Sequence, residues 1–265
     1  MRNRIKYSQN FIRDGRLISK LLNLTSINRD DVVLEIGAGE GIITEELLKR
    51  CKEVVAFEVD PDLVNNLSSK FRGESRLRVV VGNFLLQPLP NGKYKVFSNI
   101  PFNITALVIK KLTMAINPPD EAYLIAQKEA AQKFIGRPYD IKNSQISVLL
   151  NPFFKSGAIY DFQSNDFVPK PNVEIVLMRI EKRVKSLIAD RDKVKYQDFV
   201  AYKFTRVKTG NLGFTDWIKL FTSFRSLPET EQRVARGAHA RQLKQEERLE
   251  KIHRTRIDKN WRKFR

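Results

Sequence analysis

The feature that most constrains this chain is a strand-like run that ends in glycines. Val32-Val33-Leu34-Glu35-Ile36 leads straight into Gly37-Ala38-Gly39-Glu40-Gly41, and helical spacing starts at Ile42 and continues to Leu48. A short, nearly unbroken apolar run without polar alternation belongs to a strand covered on both faces, the condition found in parallel sheets. The same unit then recurs. Val54-Val55-Ala56-Phe57-Glu58-Val59 predicts a second strand, with Pro61 suited to the first turn of the next helix. Further strands are predicted at 77–81, 94–98 and 122–126, and helices at 13–25, 104–116, 128–135 and 143–150. Two later β-like stretches, 153–162 and 173–180, are expected to form an antiparallel edge pair. Strands alternating with helices define an α/β fold, Rossmann-like, with a doubly wound and mainly parallel sheet.

Near Glu181-Lys182-Arg183 the pattern changes, and only helical periodicity follows, at 196–204, 217–224 and roughly 229–256. This predicts a catalytic domain over 1–182 and a small, basic, all-helical C-terminal domain over 183–265, with a boundary between 181 and 190. Arg233, Arg236, Arg241, Lys244, Arg248, Lys251, Arg254 and Arg256 load its last segment, and the final residues read as a basic arm. The whole chain has 48 basic and 30 acidic side chains among 265 residues, a net charge of +18 and a pI near 10.0. Such an excess concentrates polyanions, so RNA, DNA or an anionic membrane is the expected partner class.

Other classes are disfavoured. Cys51 is the only cysteine and has no partner for an internal disulfide, which fits a reducing compartment and a packing role. His239 and His253 lack metal-ligand spacing, so no metal is expected. The basic start is not followed by an apolar core as in a secretory signal, and no run is long and apolar enough to span a bilayer. The expectation is a cytoplasmic, monomeric protein with no membrane partner.

The glycine loop itself carries chemistry. A dinucleotide loop reads G-x-G-x-x-G and cradles a pyrophosphate. Here the spacing is G-x-G-x-G and Glu35 precedes it. A carboxylate disfavours pyrophosphate but suits a cationic amino-acid sulfonium ligand. Glu58, ending the second strand, stands where a carboxylate accepts bonds from both ribose hydroxyls. A tight turn without any ligand is the plainer alternative.

Downstream comes Ser98-Asn99-Ile100-Pro101-Phe102-Asn103-Ile104, and with it a resemblance. Together with Tyr7-Ser8-Gln9-Asn10-Phe11-Ile12, Leu34 to Gly41, Phe57-Glu58-Val59-Asp60 and Phe167-Val168-Pro169-Lys170-Pro171-Asn172-Val173, this chain resembles the rRNA adenine-N6 dimethyltransferases. Within them it is most similar to the Erm branch, which modifies large-subunit rRNA and confers macrolide-type resistance in bacteria. The resemblance covers the first domain. It implies S-adenosylmethionine as cofactor and 23S rRNA, protein-free or precursor, as partner. It further implies that Gln9, Asn10 and Phe11 cover the cofactor's methionine side and that Gly37, Ala38, Gly39 and Gly41 wrap its amino-acid and ribose portion. Glu58 then holds the ribose, Val59 packs on the adenine, and Asn83 beside Phe84 accepts the exocyclic amine. Relatives usually carry Asp at position 83 and often Tyr at 102, so the amide should bind more weakly while the Phe102 ring should stack equally well.

The adenine amine is a poor nucleophile, because its lone pair is delocalised into the ring. Two acceptors that hold its hydrogens, the Asn99 side chain and the Ile100 carbonyl, favour a tetrahedral nitrogen aimed at the methyl. Pro101 stiffens the loop and biases Ile100 towards extended backbone. Phe102 stacks on an extruded base, with Phe167 as the expected opposite face of a clamp. Without the other motifs, Asn99 to Phe102 reads more readily as a turn, and Phe167 equally as a core residue. Lys6, Arg13, Lys110, Lys111, Lys133 and Arg137 are candidate phosphate contacts, and residues 229–265 the expected source of sequence-independent affinity.

Three alternatives compete. The small-subunit branch usually reads Asn-Leu-Pro-Tyr, which Ile100 and Phe102 disfavour. A non-catalytic RNA-binding assembly factor would not need the intact loops. A DNA adenine methyltransferase usually has two prolines in the acceptor loop.

Overall fold

In a computed structural model, residues 11–12, 14–204, 206, 212–246 and 248 are described. The chain divides into two compact units, with crossings at Ile135–Gly136, Phe153–Phe154 and Val184–Lys185. The first is an α/β unit. After the short strand β1 (Phe11–Ile12) and helix α1 (Gly15–Leu22) come β2 (Val32–Ile36), α2 (Ile42–Leu48), β3 (Glu53–Glu58), α3 (Pro61–Lys70) and β4 (Leu77–Val81). They are followed by β5 (Lys95–Asn99), α4 (Thr105–Met114), β6 (Glu121–Gln127) and α5 (Lys128–Ile135). Helix α6 (Gln145–Leu150) lies in the second unit, and β7 (Phe154–Asp161), β8 (Phe167–Val168) and β9 (Ile175–Lys182) return to the first.

Seven strands make one sheet in the order β4-β3-β2-β5-β6-β9-β7. The first five are parallel; β9 runs antiparallel to β6 and to β7. The predicted antiparallel pair is therefore present, with β7 at the edge and β9 inside. Strands β2, β3, β5 and β6 are buried almost end to end, as their unbroken apolar runs require. Helix starts follow local chemistry. Asp14 accepts the Arg16 N–H at 2.9 Å to cap α1. Asp60 accepts the Asp62 N–H at 2.9 Å, with Pro61 in the first turn of α3.

The second unit is helical. It contains α6, α7 (Lys193–Phe204), α8 (Phe214–Arg225), α9 (Glu229–Gln232) and α10 (238–246). Its core is aromatic: Phe199 packs on Phe224 with centroids 4.9 Å apart, and Tyr196 meets Phe221 edge-on at 5.1 Å. The Tyr196 hydroxyl donates to the Val148 carbonyl at 2.9 Å, tying α6 to α7.

The predicted single helix over 229–256 is broken within its described part. After α9, Arg233–Ala235 forms a 3-10 turn, and Gly237 takes a φ of +72°, outside the helical region. A new helix starts beyond it, with Asp198 accepting the N–H groups of Gly237 (2.7 Å) and His239 (3.1 Å). Residues 249–265 lie outside the described residues. No helix among the described residues is long and apolar enough to cross a membrane, and no described cluster of His, Cys, Asp or Glu could hold a metal.

Candidate active site at the sheet switch point

From β2 the chain winds outward to β3 and β4, then returns to start β5 on the other side of β2. Ligands of open α/β sheets bind at the C-terminal ends of strands flanking such a reversal. The two predicted loops lie there, one after β2 and one after β5. The β2–β5 ladder pairs only Val33 with Lys95 and Leu34 with Val96. Beyond it the fully buried Ser98 hydroxyl accepts the Ile36 N–H at 2.6 Å. A side chain thus replaces the ladder where the strands hand over to their loops.

Gly37, Gly39 and Gly41 have φ values of +76°, +57° and +78°, the left-handed region that disfavours a side chain. At Gly41 packing adds a second reason. A Cβ there would lie 2.7 Å from Leu67 Cδ2 and 2.8 Å from Phe71 Cε2, so this glycine lets the loop close onto α3. Phe11 lies against Gly39, and Pro101 faces Gly37, at 3.4 Å and 3.9 Å from the positions a Cβ would take. Phe11, Gly37 to Glu40 and Asn99 to Phe102 line one cleft. Phe11 reaches it because β1 pairs with β8, Phe11 opposite Val168 and Ile12 opposite Phe167.

The two carboxyls of the site differ. Glu58 is buried, and its oxygens accept the N–H groups of Gly39 (2.9 Å), Val59 (2.8 Å) and Asp60 (3.0 Å). A carboxylate has about four acceptor sites, so these three bonds leave little capacity for two ribose hydroxyls unless one is exchanged. Glu35 is 1 % exposed. Its Oε2 accepts the Thr44 hydroxyl at 2.5 Å, while Oε1 has no hydrogen-bond partner. Burial, and then the charge of Glu58, push its pKa up to about 8.

Beyond β3, Val59 is 51 % exposed and leaves an apolar face open next to Glu58. Asn83 Oδ1 accepts the Leu85 N–H at 2.9 Å and caps the 3-10 turn Phe84–Leu86. Phe84 is buried against Phe57, so its ring is a support rather than an open face. Lys111 completes this support. Its ammonium donates to the carbonyls of Leu85 (2.9 Å) and Gln87 (2.5 Å) and lies 5.1 Å from the centre of the Phe84 ring. It is therefore an anchor for this loop, not the phosphate contact expected from its charge.

Phe167 also departs from expectation. Its ring is 1 % exposed, belongs to the core and packs on Phe162 at 5.1 Å. It does not line the cleft, so it is not the opposite face of a base clamp; Phe11 and Phe102 are the aromatics there. Ile100 is likewise buried, leaving only its backbone for the acceptor role. Gln9, Asn10, Lys6 and Arg13 lie outside the described residues. The roles of Ser98 and Lys111 are what sequence reasoning missed. A lone serine in an apolar strand was a signal for the first; the charge of Lys111 pointed instead to phosphate.

These features fit S-adenosylmethionine. The unpartnered, buried carboxyl of Glu35 behind the glycine loop is stabilised by a cation, and the open face of Val59 beside Glu58 suits an adenosine.

Comparisons with known proteins agree on this class. A structural match to the 23S rRNA methyltransferase ErmE has a TM-score of 0.72 at 26% identity, covering 80% of this chain and 98% of that one. A dimethyladenosine transferase from Plasmodium falciparum shares the fold, with a TM-score of 0.65 at 24% identity over 74% of this chain and 71% of that one. The family model for ribosomal RNA adenine dimethylases matches residues 1–256, and the chain belongs to that family. It is an S-adenosylmethionine-dependent rRNA adenine-N6 methyltransferase. Its relatives divide. Ribosomal RNA small subunit methyltransferase A of Caldanaerobacter subterraneus is 29% identical over 77% of this chain and 79% of that protein. An rRNA adenine N-6-methyltransferase of Limosilactobacillus reuteri is 29% identical over 83% of this chain and 96% of its own length.

Proposed function

We propose that this chain methylates the N6 amine of a specific adenine in 23S rRNA, as the Erm branch does, and so protects its bacterial host from macrolide-type antibiotics. The observation that carries the reading is the acceptor loop, where Ile100 and Phe102 depart from the Leu and Tyr usual in the small-subunit branch. The likeness to ErmE supports it. The small-subunit relatives favour a second reading, dimethylation of 16S-type rRNA during ribosome assembly.

Bound S-adenosylmethionine supplies an electrophilic methyl group on a sulfonium. Phe11 and the Gly37–Gly41 loop hold the cofactor, with Gln9 and Asn10 preceding Phe11 in sequence. Glu58 and Val59 receive the ribose and adenine, and Asn83 accepts the adenine amine. On the acceptor side, Asn99 Oδ1 and the Ile100 carbonyl take the two hydrogens of the target amine and turn its lone pair outward. Pro101 fixes the loop, and Phe102 stacks on the extruded base. No strong base is needed, because the product nitrogen loses its extra proton to solvent. Catalysis is then mainly orientation. The helical, basic C-terminal region over 183–265 supplies affinity for RNA, and the enzyme acts as a cytoplasmic monomer on protein-free or precursor RNA.

The test is to incubate the protein and labelled cofactor with protein-free 23S and 16S rRNA in separate reactions. Label on 23S rRNA alone is expected. Label on 16S rRNA alone would reverse the branch.

A further inference from the structure

Helices α7, α8 and α9 of the helical unit surround a hollow of about 330 Å³. Phe224 and Ala235 form an apolar, buried floor. Arg191, Lys195, Arg233 and Arg236 stand around it, all exposed, and none has an acidic partner among the described residues. The nearby carboxylates are largely committed. Asp198 is occupied by the N–H groups of Gly237 and His239, and Asp192 pairs with Arg225 at 2.6 Å. Glu229 is the remaining acid lining the hollow. Several cations of the first unit are paired by contrast, as Lys49 is with Glu46, Arg76 with Glu74 and Arg179 with Glu181. Four cations against the two carboxylates of Asp198 and Glu229 leave the hollow net positive and focus a positive potential into it. An anion with several oxygens complements that potential, and the substrate of this family is a polyanion.

We infer that this hollow seats the sugar-phosphate backbone of the rRNA, with the four cations on phosphate oxygens. The inference rests on the rRNA reading and deepens it by locating sequence-independent affinity in four side chains, Lys195 of α7 and three in the turns beside α7 and α9. Contacts of this kind position RNA without reading its bases. The hollow therefore takes part in substrate binding and in no chemical step.

The test replaces the four together, R191Q/K195Q/R233Q/R236Q, in the full chain. A control of equal charge change, R29Q/K52Q/R72Q/K93Q, alters four exposed cations outside the hollow and outside residues 183–265. Binding of protein-free 23S and 16S rRNA is measured from low to physiological salt, and methyl transfer is followed on the same samples. Each phosphate contact contributes about 0.7 to 0.9 to the slope of log affinity against log salt. With four contacts removed, the hollow variant should lose about three from that slope. Its affinity at low salt should fall at least roughly tenfold, and its KM for rRNA should rise with kcat unchanged at saturating RNA. The control should stay within about twofold of the parent, since dispersed surface charge is screened. Equal losses in both variants, or no loss in the hollow variant, would overturn the inference. Free inorganic phosphate or DNA of the same sequence competing as well as RNA would make the hollow a general anion site and would equally contradict it. Loss of methyl transfer with intact RNA binding in the parent protein counts against the acceptor-loop reading instead.

Discussion

The hydroxyl of Ser98 accepts the backbone N–H of Ile36 at 2.6 Å, one residue before the glycine loop starts and one before Asn99. A single buried bond thus joins the ends of β2 and β5 where the two predicted loops begin. Removing it leaves a buried N–H without an acceptor, which costs about 1–3 kcal/mol. Ser98→Ala should therefore lower the melting temperature by roughly 3–10 °C. It should reduce kcat more than it weakens cofactor binding, because the geometry between the loops changes while each loop persists. Thermal melts with calorimetry of cofactor binding check this; an unchanged kcat would show that the ladder alone sets the spacing.

Glu35 gives the fold a pH signature. A carboxyl with a folded-state value near 8 keeps a proton that the unfolded chain has lost above about 4.5. Stability from this group therefore falls as pH rises from about 4.5 to about 8 and is level beyond, by up to about 1.4 kcal/mol per pH unit. Glu35→Gln should remove the slope and raise the melting temperature above that of the parent at pH 8, with the difference closing by pH 5. Parallel curves for the two proteins across that range would contradict the assignment.

Asn83 is a cap as well as the proposed acceptor of the adenine amine. Its oxygen already holds the Leu85 N–H, and Asp caps equally well while accepting more strongly. Asn83→Asp should tighten S-adenosylmethionine binding about fivefold, roughly 1 kcal/mol, with little change in stability. Calorimetry showing equal or weaker binding would place the adenine amine elsewhere.

Lys111 supports that pocket from behind. Its burial lowers the ammonium pKa, yet two carbonyls and the Phe84 ring hold it in place. Lys111→Met keeps the length and loses the donors. The KM for cofactor should rise about fivefold to tenfold with kcat nearly constant, the effect of about 1–1.5 kcal/mol. A loss of RNA affinity with unchanged cofactor KM would restore Lys111 to the RNA surface.

Much of this was legible from the chain alone, because it depends on local pattern. The apolar runs ending at Ile36 and Asn99 mark strand ends, and strand ends at a sheet reversal are where a site forms. What was not legible depends on tertiary packing. Gln145–Leu150 has the period of any α/β helix, yet it belongs to the helical unit, where Val148 meets Tyr196. Phe167 reads equally as the face of a clamp or as a core residue, and only the pairing of β8 with β1 turns its ring into the core. The break at Gly237 was marked by the glycine itself. A strongly charged helical period on both sides of it hid the signal.

The most direct test of the central claim is to digest labelled rRNA to nucleosides after reaction with the parent protein and with Asn99→Ala, alongside calorimetry of cofactor binding. The account predicts label in N6-methylated adenosine for the parent, no detectable transfer by Asn99→Ala, and cofactor affinity retained within a few-fold. Transfer persisting in Asn99→Ala, or label in any nucleoside other than N6-methylated adenosine, would contradict it.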